Sequence, residues 1–180
     1  MKAALLLIDV INDMEFPERE KLLKHAIPAA GKIAALRKRL KAAGVPIIYV
    51  NDNFGRWQSD FQSQIQRWIG AGCPGRAVAG PLVPEKDDYF VLKPKHSGFY
   101  STSLDVLLQF LGVDTLILTG FAADICVLYT ANDAYMRDFS LIVPSDCVAS
   151  ETLSGTRAAL QHMKARLRAR VLASRSIRVN

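Results

Sequence analysis

Residues 116–134 read L-I-L-T-G-F-A-A-D-I-C-V-L-Y-T-A-N-D-A, a pattern that indicates an α/β fold. An apolar run typical of a buried strand (115–119) breaks at Gly120, and a helical pattern follows from about Asp124. A strand that turns into a helix at a glycine is how α/β folds present a nucleophile. Cys126 would then lie in the first helical turn, where unpaired N–H groups and the helix dipole stabilise a thiolate. The alternative is that Cys126 is a small buried apolar residue.

Strand-like and helix-like segments alternate along the whole chain. The strand-like segments are residues 3–10, 46–50, 89–92, 115–119, 140–143 and 170–173. Helical periodicity covers residues 21–43, 103–111, the segment after Cys126, and 156–168. Uninterrupted apolar strands are typical of a parallel sheet that is buried on both faces. The sequence therefore predicts one α/β domain over residues 1–180, with a six-stranded parallel sheet between two layers of helices.

The net charge of +6 comes from the end of the chain, because the residues after Glu151 include seven basic, no acidic and no aromatic ones. A basic segment without aromatic side chains is more typical of a solvated helix face or a subunit contact than of a nucleic-acid interface. No apolar run approaches the roughly 20 residues of a membrane span, and the N-terminus does not resemble a signal peptide. Three widely spaced cysteines argue for a reducing compartment. We expect a cytoplasmic protein that binds neither nucleic acid nor membranes.

Three reactive side chains follow strand-like segments. Asp9 ends the first strand, Lys93 ends the third, and Cys126 lies just beyond the fourth. Ligands of open α/β sheets bind outside the C-terminal ends of the strands, so we expect these side chains to meet. Asp9 can accept the thiol proton, and Lys93 favours both thiolate and carboxylate. Backbone N–H groups around Ala122 and Cys126 can receive an oxyanion. Taken singly, Asp9 could be a loop cap and Lys93 a surface charge.

The sequence resembles the isochorismatase-like cysteine hydrolases, a superfamily that includes nicotinamidases, N-carbamoylsarcosine amidohydrolases and ureidoacrylate hydrolases. The resemblance is carried by L-L-L-I-D-V-I-N-D-M (5–14), P-I-I-Y-V-N-D (46–52), the Pro-Gly pair (74–75), V-L-K-P-K-H-S-G-F (91–99), T-L-I-L-T-G-F-A-A-D-I-C-V (115–127) and L-I-V-P-S-D-C-V-A-S (141–150). It implies the three-layer, Rossmann-like α/β/α fold of that superfamily.

The same resemblance implies a catalytic triad of Asp9, Lys93 and Cys126. It also implies an oxyanion hole formed by the backbone N–H groups of Ala122 and Cys126, and a cis peptide bond between Phe121 and Ala122. Lys95 is a rival for Lys93, but the spacing to the Ser-Gly-Phe that follows favours Lys93.

Metal-dependent nicotinamidases carry an Asp-x-His pair after the second strand, and this chain departs from that pattern. Residues 51–53 read N-D-N, residues 54–95 contain no histidine, and His25, His96 and His162 are scattered. A zinc or iron site needs clustered ligands, so we expect no metal and no other cofactor. His96 is either a substrate contact or an exposed loop residue.

Cys126 favours hydrolysis of a small amide or carbamoyl C–N bond through a cysteine thioester. The alternatives are a vinyl-ether hydrolase of the isochorismatase type and a catalytically silent binding protein on the same fold. A redox-sensing Cys126 is weaker, because no neighbouring C-x-x-C accompanies it. Candidates for contacts with a small-molecule substrate are Phe16, Asn53, Trp57, Phe99 and Phe121.

The irregular region 56–87 carries a dense set of large apolar side chains, namely Trp57, Phe61, Trp68 and Ile69. A protein of this size seldom exposes so much apolar surface without a use. The family resemblance also implies subunit contacts. We therefore expect a homo-oligomer, a dimer or a tetramer, in which the basic C-terminal segment meets acidic surface on a neighbour.

Overall fold

The structure, a computed structural model, describes residues 2–53, 65 and 72–178. Its strands are β1 (Ala3–Ile8), β2 (Ile47–Asp52), β3 (Tyr89–Lys93), β4 (Thr115–Phe121), β5 (Ser140–Pro144), β6 (Val148–Ala149) and β7 (Arg170–Leu172). The α-helices in the described ranges are α1 (Arg19–Ala42), α2 (Arg76–Ala79), α3 (Leu104–Leu111), α4 (Leu128–Tyr135) and α5 (Leu153–Arg166). Within these same ranges, no helix is both long and apolar enough to cross a membrane.

All strand pairs are parallel, and the main path across the sheet runs β3-β2-β1-β4-β5-β7. This confirms the predicted parallel sheet with its six main strands. A seventh strand, β6, has two residues and pairs with the end of β4. A two-residue strand carries no periodic pattern, so the sequence did not predict it.

The sheet is buried on both faces, which explains why its strands are apolar without alternation. Along β1, Ala3, Leu5 and Leu7 belong to a core that contains the buried face of α1. Ala4, Leu6 and Ile8 belong to a second core on the opposite side, with residues of α3, α4 and α5. Helices therefore cover both faces, as the predicted three-layer α/β/α arrangement requires.

The strand order reverses between β1 and β4. The chain runs outward from β1 through β2 to β3, and then returns to place β4 on the other side of β1. Such a reversal opens a crevice at the C-terminal ends of the two central strands, where ligands of open α/β sheets bind. Asp9 directly follows β1 at this crevice, and the segment with Cys126 follows β4.

The predicted break of β4 at Gly120 is wrong, because the strand continues to Phe121. Gly120 and Phe121 pair with the two residues of β6, which extends the strand. The glycine is needed for close approach instead. Its φ is 114°, and a Cβ at this position would lie 2.0 Å from the carbonyl oxygen of Ile8. Only glycine lets β4 lie so near β1 beside the crevice.

The helix after β4 begins with a π-helical turn at Ala123–Val127, before α4. The peptide bond between Phe121 and Ala122, just before this turn, is cis. The Ala122 carbonyl oxygen accepts hydrogen bonds from the N–H groups of Ile125 and Val127, each at 3.2 Å. Cys126 thus lies in a π-turn, a feature frequent at functional sites, where the sequence predicted an ordinary first turn of an α-helix.

Candidate active site

Asp9 and Lys93 form a buried ion pair at the C-terminal edge of the sheet. Lys93 Nζ lies 2.8 Å from Asp9 Oδ2, and the lysine is fully buried. The backbone N–H of Asp52 donates to Asp9 Oδ1 at 2.7 Å, and the Asp52 carboxylate lies 3.5 Å from Lys93 Nζ. The Lys93 ammonium therefore contacts two carboxylates, and the ends of β1, β2 and β3 meet around it.

Burial raises the pKa of Asp9 above the ordinary value of a carboxyl group, and the attraction of Lys93 only partly offsets this. Burial alone would lower the pKa of Lys93, but the charges of Asp9, Cys126 and Asp52 raise it overall. Lys93 therefore stays an ammonium, while Asp9 becomes a stronger base than an exposed carboxylate.

The Cys126 sulfur lies beside this pair, 3.6 Å from Lys93 Nζ. Burial, together with the charge of Asp9, raises the pKa of the Cys126 thiol to about 12, although Lys93 opposes the shift. The prediction of a stabilised thiolate is therefore wrong, because these surroundings favour the protonated thiol. Desolvation next to a carboxylate outweighs the helix terminus, whose dipole contributes only about 0.3–1 kcal/mol at exposed positions. A thiol with so high a pKa would need a base in order to react, and Asp9 is a carboxylate next to it.

Two hydrogen-bonded links hold the turn that carries Cys126. The buried Thr130 hydroxyl donates to the Cys126 carbonyl oxygen at 2.7 Å and accepts from the Gly98 N–H at 3.0 Å. On the other side, the Ser150 hydroxyl donates to the Asp124 carboxylate at 2.6 Å and accepts from the Asp124 N–H at 3.2 Å. The turn that carries Cys126 is therefore fixed to the loop after β3 and to the loop after β6.

The candidate substrate contacts differ in where they lie. Phe16 is half-buried against the α1 side of the core, and Phe121 is buried in that core. Phe99 is buried on the other side of the sheet, with its ring centre 6.0 Å from that of Phe139. Asn53 is buried at the end of β2, where its N–H donates to the Lys93 carbonyl oxygen at 3.0 Å. Trp57 lies outside the described residues, and substrate contact by all five stays a prediction.

Among residues 51–53, Asp52 supplies the one carboxylate, and its position beside Lys93 disfavours a metal ion. The Asn51 amide donates to the Ile11 carbonyl oxygen at 2.7 Å, and the Asp52 carboxylate faces the ammonium of Lys93. A lysine ammonium repels a metal cation at this position. Among the described residues, no group of three or more His, Cys, Asp and Glu side chains is arranged to hold a metal.

Asp9 follows β1, Lys93 ends β3 and Cys126 lies beyond β4, as predicted from the sequence, and the structure brings the three side chains together. Sequence reasoning missed the part that Asp52 plays in holding Asp9 and Lys93, although Asp52 also ends a strand. It left the place of His96 open, and the structure puts His96 Nδ1 3.9 Å from the Cys126 sulfur. Lys95, the rival of Lys93, is exposed.

Comparison with known proteins gives a consistent result. The isochorismatase domain profile matches residues 3–176. The uncharacterized isochorismatase family protein YaaI of Bacillus subtilis is 41% identical over 161 residues, which are 89% of this chain and 88% of YaaI. The ureidoacrylate amidohydrolase RutB of Methylorubrum extorquens is 41% identical over 81 residues, which are 45% of this chain and 33% of RutB. The crystal structure of N-carbamoylsarcosine amidase from Thermoplasma acidophilum superposes with a TM-score of 0.75 at 30% identity, covering 99% of this chain and 100% of the amidase.

Proposed function

The chain belongs to the isochorismatase family of hydrolases, and from that premise we propose that it is a cysteine amidohydrolase acting on a small amide or carbamoyl C–N bond. The observation that carries the proposal is the Cys126 sulfur, 3.6 Å from the ammonium of the buried Asp9–Lys93 pair. The amidohydrolase and amidase among the relatives support the same class of reaction.

Acylation begins when Asp9 takes the thiol proton of Cys126 and the sulfur attacks the substrate carbonyl carbon. The raised pKa of Asp9 makes this transfer easier than it would be for an exposed carboxylate. The transfer moves negative charge from the Asp9 carboxylate to the Cys126 sulfur, and both groups lie beside the Lys93 ammonium. Because the ammonium attracts the charge before and after the transfer, little rearrangement is needed.

The tetrahedral oxyanion is held by the backbone N–H groups of Ala122 and Cys126, at the turn after β4. Hydrogen-bond donors fixed in place before the reaction stabilise the developing charge without reorganisation. Asp9 then gives its proton to the leaving amine or ammonia, the C–N bond breaks, and a thioester remains on Cys126. Water cleaves the thioester and regenerates the thiol.

The vinyl-ether alternative uses the same fold and does not need the sulfur as a nucleophile. A silent binding protein is less consistent with the site. Burying an ion pair carries a desolvation penalty, and a catalytic role would explain why this pair is buried. Lys93 is fully buried, and its ammonium contacts two carboxylates and a thiol.

The test is a panel of small amides, N-carbamoyl compounds and isochorismate, followed by ammonia release and product masses. We expect C–N hydrolysis by the wild type and by the control Cys73→Ala, and none by Cys126→Ala. Cys73 is the matched control because it is another free, partly buried cysteine. Undiminished turnover of isochorismate by Cys126→Ala would assign the vinyl-ether reaction instead. Binding without turnover across the panel would favour the silent protein.

A further inference from the structure

Within the proposed function, on which this inference rests, we infer that His96 is a second catalytic residue, responsible for hydrolysing the thioester. Its Nδ1 lies 3.9 Å from the Cys126 sulfur, so it contacts a reacting atom. The imidazole packs against the Tyr129 ring, with 5.5 Å between the ring centres and a tilt of 58°. His96 is exposed, whereas Asp9 and Lys93 are buried.

The loop that carries His96 is fixed to the helix that follows Cys126. The Ser97 hydroxyl donates to the Asp133 carboxylate at 2.5 Å, and the Gly98 N–H donates to the Thr130 hydroxyl at 3.0 Å. Gly98 packs closely on β2, because a Cβ there would lie 2.8 Å from Val50 Cγ1. A side chain on so constrained a loop is held near the sulfur before substrate arrives, as catalysis by positioned groups requires.

The second half of the reaction needs a base on the side where water arrives. After acylation Asp9 is a carboxylate again, but it is buried and both its oxygens have partners, Lys93 Nζ and the Asp52 N–H. Imidazole is the side chain that most often serves as a general acid and base. An exposed imidazole beside the thioester sulfur can meet a water molecule that Asp9 reaches less readily.

The proton balance closes with His96 alone. With its proton on Nε2, the imidazole presents the Nδ1 lone pair to the attacking water. The water oxygen bonds to the thioester carbonyl carbon while one water proton passes to Nδ1. The carbon–sulfur bond then breaks, the acid product leaves, and the sulfur takes the proton back from Nδ1. The enzyme returns to a neutral imidazole, a thiol and an ionised Asp9.

The test is rapid-quench kinetics of His96→Gln on an amide that the wild type turns over, with Lys95→Ala as the control. Lys95 is an exposed neighbour on the same loop. We expect His96→Gln to release a burst of ammonia or amine near the wild-type rate, about one per active site. A steady state about 100-fold slower should follow, because a general base typically contributes that much or more. The thioester should accumulate, and Lys95→Ala should behave as the wild type.

Chemical rescue gives a second readout that a structural role would not move. Added imidazole should speed the steady state of His96→Ala without changing its burst, because the vacated position is open to solvent. Equal slowing of burst and steady state, or wild-type kinetics in His96→Gln, would overturn the assignment. Failure of the proposed function is distinguishable, because the wild type itself would then form no thioester.

Discussion

In the proposed mechanism, Cys126 depends on a neighbouring base for its reactivity rather than on its place at a helix start. The Lys93 ammonium favours a thiolate, but burial and the nearby Asp9 carboxylate favour the thiol more strongly. In the proposed mechanism, proton transfer and attack are coupled, because the thiolate forms as Asp9 is neutralised.

The raised pKa of Cys126 predicts how its alkylation depends on pH. A thiol with a pKa of about 12 is protonated at neutral pH, so the rate with iodoacetamide should keep rising as the pH increases past the ordinary value of 9.0. Peptide mapping of timed reactions measures this rate at Cys126 separately from the other cysteines. A rate that levels off near neutral pH would show a preformed thiolate and contradict the account.

Removing one member of the buried ion pair should cost both activity and stability. Asp9→Asn lacks the base, and among the described residues it leaves the fully buried Lys93 with one carboxylate, Asp52 at 3.5 Å. We expect turnover to be lost and the free energy of unfolding to fall by about 3 kcal/mol, as when one partner of a buried pair is removed. Urea denaturation and ammonia release measure the two effects.

The double variant Asp9→Asn, Lys93→Met separates the loss of activity from the loss of stability. Without a buried cation left alone, much of the unfolding free energy should return, because a buried pair can be replaced by neutral groups at little cost. Turnover should not return. Near-wild-type turnover in Asp9→Asn would remove the carboxylate from the mechanism.

At the scale of the elements, periodicity predicted most strands and helices but misplaced the end of β4. Residues 115–119 are apolar enough to identify a strand, whereas its last two residues are fixed by pairing with β6, about 30 residues later in the chain. The π-turn depends on hydrogen bonds to the Ala122 carbonyl oxygen, which leave no pattern in the sequence.

The sequence predicted the part of the candidate site that lies at the ends of strands. Asp9, Lys93 and Cys126 follow strands of one parallel sheet, and the topology alone brings them to one edge. The hydrogen bond from the Asp52 N–H depends on backbone direction, and the place of His96 depends on the path of its loop. Neither can be read from residue types.

Gly120→Ala tests the close approach of β4 to β1. The added Cβ would meet the Ile8 carbonyl oxygen at 2.0 Å, and φ at this position is 114°. We expect a loss of about 3 kcal/mol or more in unfolding free energy, because the main chain must move and the backbone conformation disfavours alanine. Urea denaturation measures the loss.

Gly31→Ala in α1 is the matched control, since nothing lies within 4 Å of a Cβ there. Alanine in a helix interior is favoured over glycine by up to about 1 kcal/mol, so this variant should be as stable as the wild type or more so. Equal stability of the two variants would mean that β1 and β4 are not as close as described.

On the surface of the described residues, several large apolar side chains are exposed, as expected where another subunit packs. On α3, Val106 and Phe110 are 68% and 81% exposed, and Met136 beyond α4 is 77% exposed. The apolar side chains of region 56–87 on which the expected oligomer was based, namely Trp57, Phe61, Trp68 and Ile69, lie outside the described residues. The α3 face adds an independent reason to propose a homo-oligomer.

Light scattering in low and high salt tests this proposal. We expect a dimer or a tetramer that persists in high salt, because apolar contacts are not screened by ions. Phe110→Asp should weaken it if α3 lies in the interface, with Lys95→Ala as an exposed control. A mass near 19.9 kDa at both salt concentrations would contradict the proposal. Dissociation only in high salt would show that charged groups hold the subunits together.

The most direct test of a cysteine thioester is the mass of the enzyme during turnover. An amide that the protein hydrolyses is mixed with it, quenched in acid within a few turnovers, digested and mapped by mass spectrometry. The account predicts that the peptide carrying Cys126 gains the mass of the acyl group, and that neutral hydroxylamine removes it. Steady turnover with Cys126 unmodified under these conditions, or with the acyl group on Cys73, would contradict the central claim.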